Sequence, residues 1–187
     1  MRKLIYSISV SLDGYINDAR GSLNWVRVDE EYHRFANEQM RETGLSIYGT
    51  RMWQTMTYWD TAEDQPGHPE FMYEFARLWK PAPKLVFSHS LADADMRAGA
   101  QLRRDGLIEE VTRLKSEPGK PIAVSGATLA SALLDAGLVD ELQPFIVPVV
   151  IGGGVPFLQV RRRLDFELLE TRRFASGTVF HRYARRP

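Results

Sequence analysis

Pro121-Ile122-Ala123-Val124-Ser125-Gly126-Ala127-Thr128-Leu129-Ala130 changes character at its centre. Residues 121–125 are a compact apolar run, the pattern of a short buried strand. Gly126 ends the run, and 127–136 reads as a helix with Gly137 at its C′ stop. Two further stretches repeat this passage from strand to small or polar residues: Tyr48-Gly49-Thr50-Arg51 and Phe87-Ser88-His89-Ser90. In an open α/β sheet, ligands bind beyond the carboxyl ends of the strands. A helix start presents unpaired N–H groups and a positive dipole end, and small residues let a phosphate come close to that backbone. Ser125, Gly126, Ala127 and Thr128 suit a pyrophosphate in this way. One such junction is ordinary helix capping; three on successive strands point towards a nucleotide.

Outward from this centre, strands alternate with helices. Leu4 to Leu12 reads as a strand closed by the Asp13-Gly14 turn. Asp29 suits the N-cap of a helix whose first turn carries Glu30 and Glu31, whose stripe is Tyr32, Phe35, Ala36 and Met40, and which Gly44 stops. Residues 45–48 are a short strand running into a short helix at Gly49-Thr50-Arg51-Met52-Trp53. A loop over 60–69 leads to a helix from Pro69 through Trp79, then a strand over 84–88. An amphipathic helix spans 105–115. A long strand over 141–151 contains Pro144 and Pro148, which predicts a sheet edge or a bulge there. Gly152-Gly153-Gly154 follows as a flexible loop. The end reads as a β-hairpin: 166–175, a Ser176-Gly177 turn, then 178–183. This order predicts one α/β domain over 1–187, with a mixed, mostly parallel sheet covered on both faces in three layers and a C-terminal antiparallel hairpin.

Composition narrows the function. With 24 basic and 24 acidic side chains the net charge is zero, unlike a nucleic-acid-binding domain. The arginines at 161–163, 172, 173, 182, 185 and 186 read as a solvated edge rather than an anion site. No apolar run is long enough for a membrane, and 1–10 lacks the form of a secretory signal, so no membrane is expected and the cytoplasm is the expected location. There is no cysteine, which removes disulfides and thiolate zinc sites. His33, His68, His89 and His181 are too dispersed to predict a metal. Neither a P-loop, nor G-x-G-x-x-G after a strand, nor a G-x-S-x-G elbow is present.

Gly126-Ala127-Thr128-Leu129-Ala130, continued by Leu133-Leu134-Asp135-Ala136-Gly137-Leu138-Val139-Asp140-Glu141-Leu142, resembles the dihydrofolate-reductase-like proteins of the riboflavin-biosynthesis deaminase-reductase group, in their C-terminal reductase domain. So do Pro148-Val149-Val150-Ile151-Gly152-Gly153-Gly154-Val155-Pro156-Phe157, Ser11-Leu12-Asp13-Gly14-Tyr15-Ile16, Tyr48 to Trp53, and Lys84 to Ser88, in order and spacing. Each motif is weak alone; the ordered set covers nearly the whole chain.

The resemblance implies a dihydrofolate-reductase-like fold and NADPH-dependent reduction of a small heterocycle, as in a 5-amino-6-(5-phosphoribosylamino)uracil reductase or a stand-alone relative, with a homodimer as the expected assembly. It places the pyrophosphate at Gly126, Ala127, Thr128 and Leu129, beside Ser125. The helix after Gly49, with Thr50 and Arg51, would approach the adenosine 2′-phosphate, with Ser88 and His89 near it, and Gly153 belongs to a loop that could close over the ligand. Thr50 and His89 stand where the family often has arginine, the preferred bidentate partner of phosphate; a modest preference for NADPH, with NADH possible, is the expectation. A proton donor would assist the hydride. Asp13 and Glu31 are the candidates, beside their plainer readings as a turn former and a partner of the helix dipole. Trp25, Trp53, Tyr58 and Trp59 offer planar surfaces for stacking, although Trp53 at helical spacing reads as core. The alternative is a catalytically inactive nucleotide-binding sensor or partner module, which the missing arginines would suit.

Overall fold

In a computed structural model, which describes residues 1–186, the chain builds an eight-stranded sheet. Strand β1 (Leu4–Ser11) is followed by the short β2 (Tyr15–Asn17) and helix α1 (Glu30–Glu42). Next come β3 (Leu45–Gly49), α2 (Thr50–Met56), α3 (Tyr58–Thr61), α4 (Glu70–Trp79), β4 (Lys84–Phe87) and β5 (Ala100–Arg103). The chain continues with α5 (Leu107–Ser116), β6 (Ile122–Ser125), α6 (Ala127–Asp135), β7 (Glu141–Val147), β8 (Val155–Pro156), β9 (Phe166–Arg173) and β10 (Val179–Arg185). The sheet order is β5-β4-β3-β6-β1-β7-β10-β9. Pairings from β5 to β7 are parallel, and β10 runs antiparallel to both β7 and β9. The expected mixed, mostly parallel three-layer α/β fold with a terminal hairpin is what forms.

Side chains alternate across each strand and so divide the core in two. Leu4, Tyr6, Leu45, Ile47, Leu85, Phe87 and Val124 meet Val111 and Leu114 of α5 and Ala130, Leu133 and Leu134 of α6. On the other face, Tyr48 and Val86 meet Met40, Trp53 and Trp79, while Phe145, Phe174 and Phe180 meet Tyr32 and Phe35 of α1. The buried stripe of α1 also carries His33 and Asn37. Asp29 caps α1: one carboxylate oxygen accepts from Tyr32 N at 2.7 Å and the other from Ser176 N at 2.5 Å. The cap is worth about 1 kcal/mol and also ties α1 to the β9–β10 turn.

Two expectations need correction. The proline-bearing strand ends at Val147 and is not an edge: β7 lies between β1 and β10. Proline lacks an N–H and is disfavoured in a central strand. Here the β7–β10 ladder pairs Phe180 with Phe145 and resumes at Tyr183 with Leu142, opening opposite Pro144, and β10 shifts register against β9 between Arg182 and Tyr183. The edges are β5 and β9, so β7 offers no free edge for a partner. Strand β5, unexpected from its sequence, is one of them. The stretch over 60–69 is not all loop, since α3 ends at Thr61 and a 3-10 turn covers Ala62–Asp64. A two-stranded antiparallel sheet of β2 and β8 adds a feature that the sequence did not foretell.

Candidate active site

The strand order brings the three junctions to one rim. Strand β3 lies between β4 and β6, so Ser88, Gly49–Thr50 and Ser125–Gly126 stand at neighbouring carboxyl ends, with β1 next in line. Thr50 Oγ1 and Ser88 Oγ are 2.7 Å apart. Ser88 is buried, and its hydroxyl also accepts from the N–H groups of Ser90 and Leu91. Ser125 Oγ leans on the Ser7 carbonyl at 3.4 Å.

Gly126 adopts φ +109°, a conformation that residues with a Cβ rarely reach, and opens the nine-residue α6 without a side-chain cap. A Cβ built there would meet only Met52 Cβ, at 3.7 Å. At Gly49 it would lie 3.5 Å from Leu129 of α6. The starts of α2 and α6 thus face each other across small residues. Ala127 is buried, Thr128 exposed and Leu129 half-buried.

His89 and Arg51 are exposed, with His89 Nε2 3.7 Å from Asp105 Oδ1. Sequence reasoning missed Arg104. Its Nη1 donates to the carbonyls of Ser88 at 2.8 Å and Leu91 at 2.6 Å, and Ser88 N donates to Arg103 O at 3.0 Å. Arg104 follows directly on β5. Only the pairing of β5 with β4 brings it to the Ser88 loop, so the sequence held just an Arg-Arg pair before Gly106 as a signal.

Asp13 and Glu31 are not brought together. The Asp13 carboxylate accepts from Ile151 N at 3.2 Å and Gly152 N at 2.8 Å. The Ser11 hydroxyl and these N–H groups hold its carboxyl below the usual range, so it is an anion engaged with the glycine loop. Glu31 pairs with Arg172 at 3.0 Å. Gly153 sits at φ +149° with open space about it. Trp53 is core, 1% exposed. Trp59 packs on Phe75, Tyr58 bonds His68 at 2.8 Å, and Trp25 donates to Ser22 O. Tyr32, buried against the floor of the α1 face, shares a 2.7 Å hydrogen bond with Ser9, and burial pushes its phenol up to about 12.

Two cavities lie elsewhere. One of about 330 Å³ is lined by Val10, Leu12, Pro144, Ile146, Phe157 and Tyr183. Another of about 300 Å³ lies between α1 and the sheet, beside Gln39, Gln143 and Arg182. Among the described residues there is no cluster of potential metal ligands and no helix long and apolar enough to cross a membrane.

The Bacillus subtilis protein YyaP is 31% identical over 180 residues, covering 95% of this chain and 92% of that one. The deaminase and 5-amino-6-(5-phosphoribosylamino)uracil reductase of Thermotoga maritima superposes with a TM-score of 0.65 at 16% identity, over 99% of this chain and 57% of that chain. Enterococcus faecalis dihydrofolate reductase, solved with NADP(H), gives 0.62 at 14% identity over 99% and 97%. These two share the fold. Residues 2–180 match the family described as the RibD C-terminal domain, and the chain belongs to that family.

Proposed function

We propose that this protein is an NADPH-dependent reductase of a small heterocyclic substrate, of the 5-amino-6-(5-phosphoribosylamino)uracil reductase type or a stand-alone relative. The observation that carries the reading is Gly126: φ +109° at the start of a nine-residue helix, with Met52 Cβ of α2, at 3.7 Å, the one atom near a Cβ built there. Such a shelf fits a pyrophosphate, because α6 offers its first N–H groups there and nothing larger than Met52 Cβ stands close. Gly126, Ala127, Thr128 and Leu129 would hold the diphosphate, with Ser125 and Gly49 at its sides. Thr50, Arg51, Ser88 and His89 would face the adenosine 2′-phosphate, and Arg104 would supply the fixed positive charge that Thr50 and His89 lack. NADPH brings the hydride; the chain binds, orients and excludes water.

Titrating NADPH and NADH, followed by nicotinamide fluorescence, tests this. Saturable binding with NADPH the tighter is expected; no binding of either removes the reading. A second reading, a nucleotide-binding module without turnover, draws on one observation: both candidate acids are already engaged, Asp13 by backbone N–H groups and Glu31 by Arg172. Oxidation of NADPH by any of a panel of pteridines, uracils and quinones rules it out. We also propose a homodimer, with exposed Leu12 and Leu158, which line the 330 Å³ groove, in its interface. Light scattering at the monomer mass would refute that.

A further inference from the structure

The loop after β7 is fastened to the turn after β1 on both sides of its glycine crest. Leu12 N donates to Val149 O at 2.7 Å, Val155 N to Asn17 Oδ1 at 3.0 Å, and Phe157 N to Gly14 O at 2.8 Å. A Cβ at Gly154 would overlap the Asn17 carbonyl oxygen. Val155 and Phe157 pack with Val10 and Ile16 against Ala127, the first residue of α6. The loop therefore stands beside the shelf at Gly126. Its crest is different: Gly152 and Gly153 have φ of +75° and +149° and no atom near a built Cβ. Among the described residues, only the bidentate acceptance by Asp13 of the Ile151 and Gly152 N–H groups holds this crest. Among the described residues, the N–H groups of Gly153 and Gly154 donate to nothing.

We infer that Asp13 is a positioning residue, a latch whose carboxylate holds the Gly152–Gly154 crest beside the α6 start and leaves the Gly153 and Gly154 N–H groups free for the bound dinucleotide. The inference rests on the NADPH reading above. Three consecutive glycines have many accessible conformations, and ordering them costs more entropy than for any other residue type. A charge-assisted pair of hydrogen bonds offsets that cost. Without it, the crest spends only a fraction of its time in the binding-competent form, and the apparent affinity falls by that fraction.

The sign of the effect separates a latch from simple electrostatics. Removing a carboxylate near a polyanion would by itself tighten binding, whereas loss of the latch weakens it.

The test compares wild type, Asp13→Ala, Asp13→Asn and Asp13→Glu by NADPH titration, thermal melting and amide hydrogen exchange over 150–154. Asp13→Ala is expected to weaken NADPH about tenfold, corresponding to a competent fraction of about one tenth. Its exchange should quicken at Ile151 and Gly152, with the melting temperature held within about 3 °C. Asp13→Asn keeps the turn-forming side chain and one acceptor and should fall between; Asp13→Glu should recover part of the affinity. Unchanged or tighter NADPH binding by Asp13→Ala and Asp13→Asn overturns the latch while leaving the cofactor reading intact. Failure of the wild type to bind NADPH overturns both.

Discussion

Replacing Gly126 with alanine separates what the fold needs from what the shelf does. At φ +109° an L-residue is strained by about 1–3 kcal/mol. Space adds nothing to that cost, because the nearest atom to the new Cβ, Met52 Cβ at 3.7 Å, is in ordinary contact. In a chain of 187 residues each 1 kcal/mol lowers the melting temperature by about 2–4 °C, so Gly126→Ala should melt about 2–12 °C below wild type and still unfold cooperatively. The second part is functional. NADPH at a hundredfold excess over its dissociation constant stabilises a binding protein by about 2.7 kcal/mol, or roughly 5–11 °C here. The alanine methyl would stand on the shelf, and the ligand-induced shift should shrink by more than half. Differential scanning fluorimetry at matched NADPH concentrations reads both effects. A variant that melts with wild type refutes the strain argument. One that melts lower but keeps the full NADPH shift refutes the placement of the diphosphate.

Gly49→Ala offers a cleaner functional probe: the new Cβ would sit 3.5 Å from Leu129, an ordinary contact, so melting should move by less than about 2 °C while NADPH affinity in a fluorescence titration falls. Arg104→Gln removes a guanidinium that bonds two carbonyls of the Ser88 loop, and should weaken NADPH several-fold while leaving NADH within about twofold, a loss near 1 kcal/mol; equal effects on both cofactors would show that Arg104 only braces the loop. His33 is buried among Trp59, Phe71 and Phe75, and burial first, against the bond to Asn37, lowers its pKa in the folded state. Protonation then favours the unfolded chain, so the associated stability is complete above about pH 6.5 and is lost as pH falls from there towards the lowered folded value. Melting curves between pH 7.5 and 5 should show the loss, and His33→Gln should flatten it.

The parts of the fold that could be read ahead are those whose signal is local. Val124-Ser125-Gly126-Ala127 announces strand, break and helix within four residues, and Asp29 announces the start of α1 by its cap. What escaped depends on partners distant in sequence. Ala100–Arg103 has neither an apolar run nor a clean alternation, and becomes β5 only because it pairs beside Lys84–Phe87 at the sheet edge. Arg104 stayed hidden with it. Pro144 argued for an edge or a bulge, but a lapse in one ladder, without a register shift, admits it to the middle of the sheet. Asp13 read equally well as a turn former or an acid, because its partner Gly152 lies 139 residues away. The rim was legible as three separate junctions, whereas their adjacency follows from the sheet order.

On the proposed reading α6, opening at Gly126, receives a dinucleotide's diphosphate. Isothermal calorimetry of the wild-type protein with NADPH, repeated with Gly126→Ala, tests it most directly. Saturable one-to-one heat for the wild type, with at least a tenfold weaker constant for the folded variant, a difference of about 1.4 kcal/mol, is the predicted result. No heat with the wild type, or equal constants for the two proteins, would contradict it.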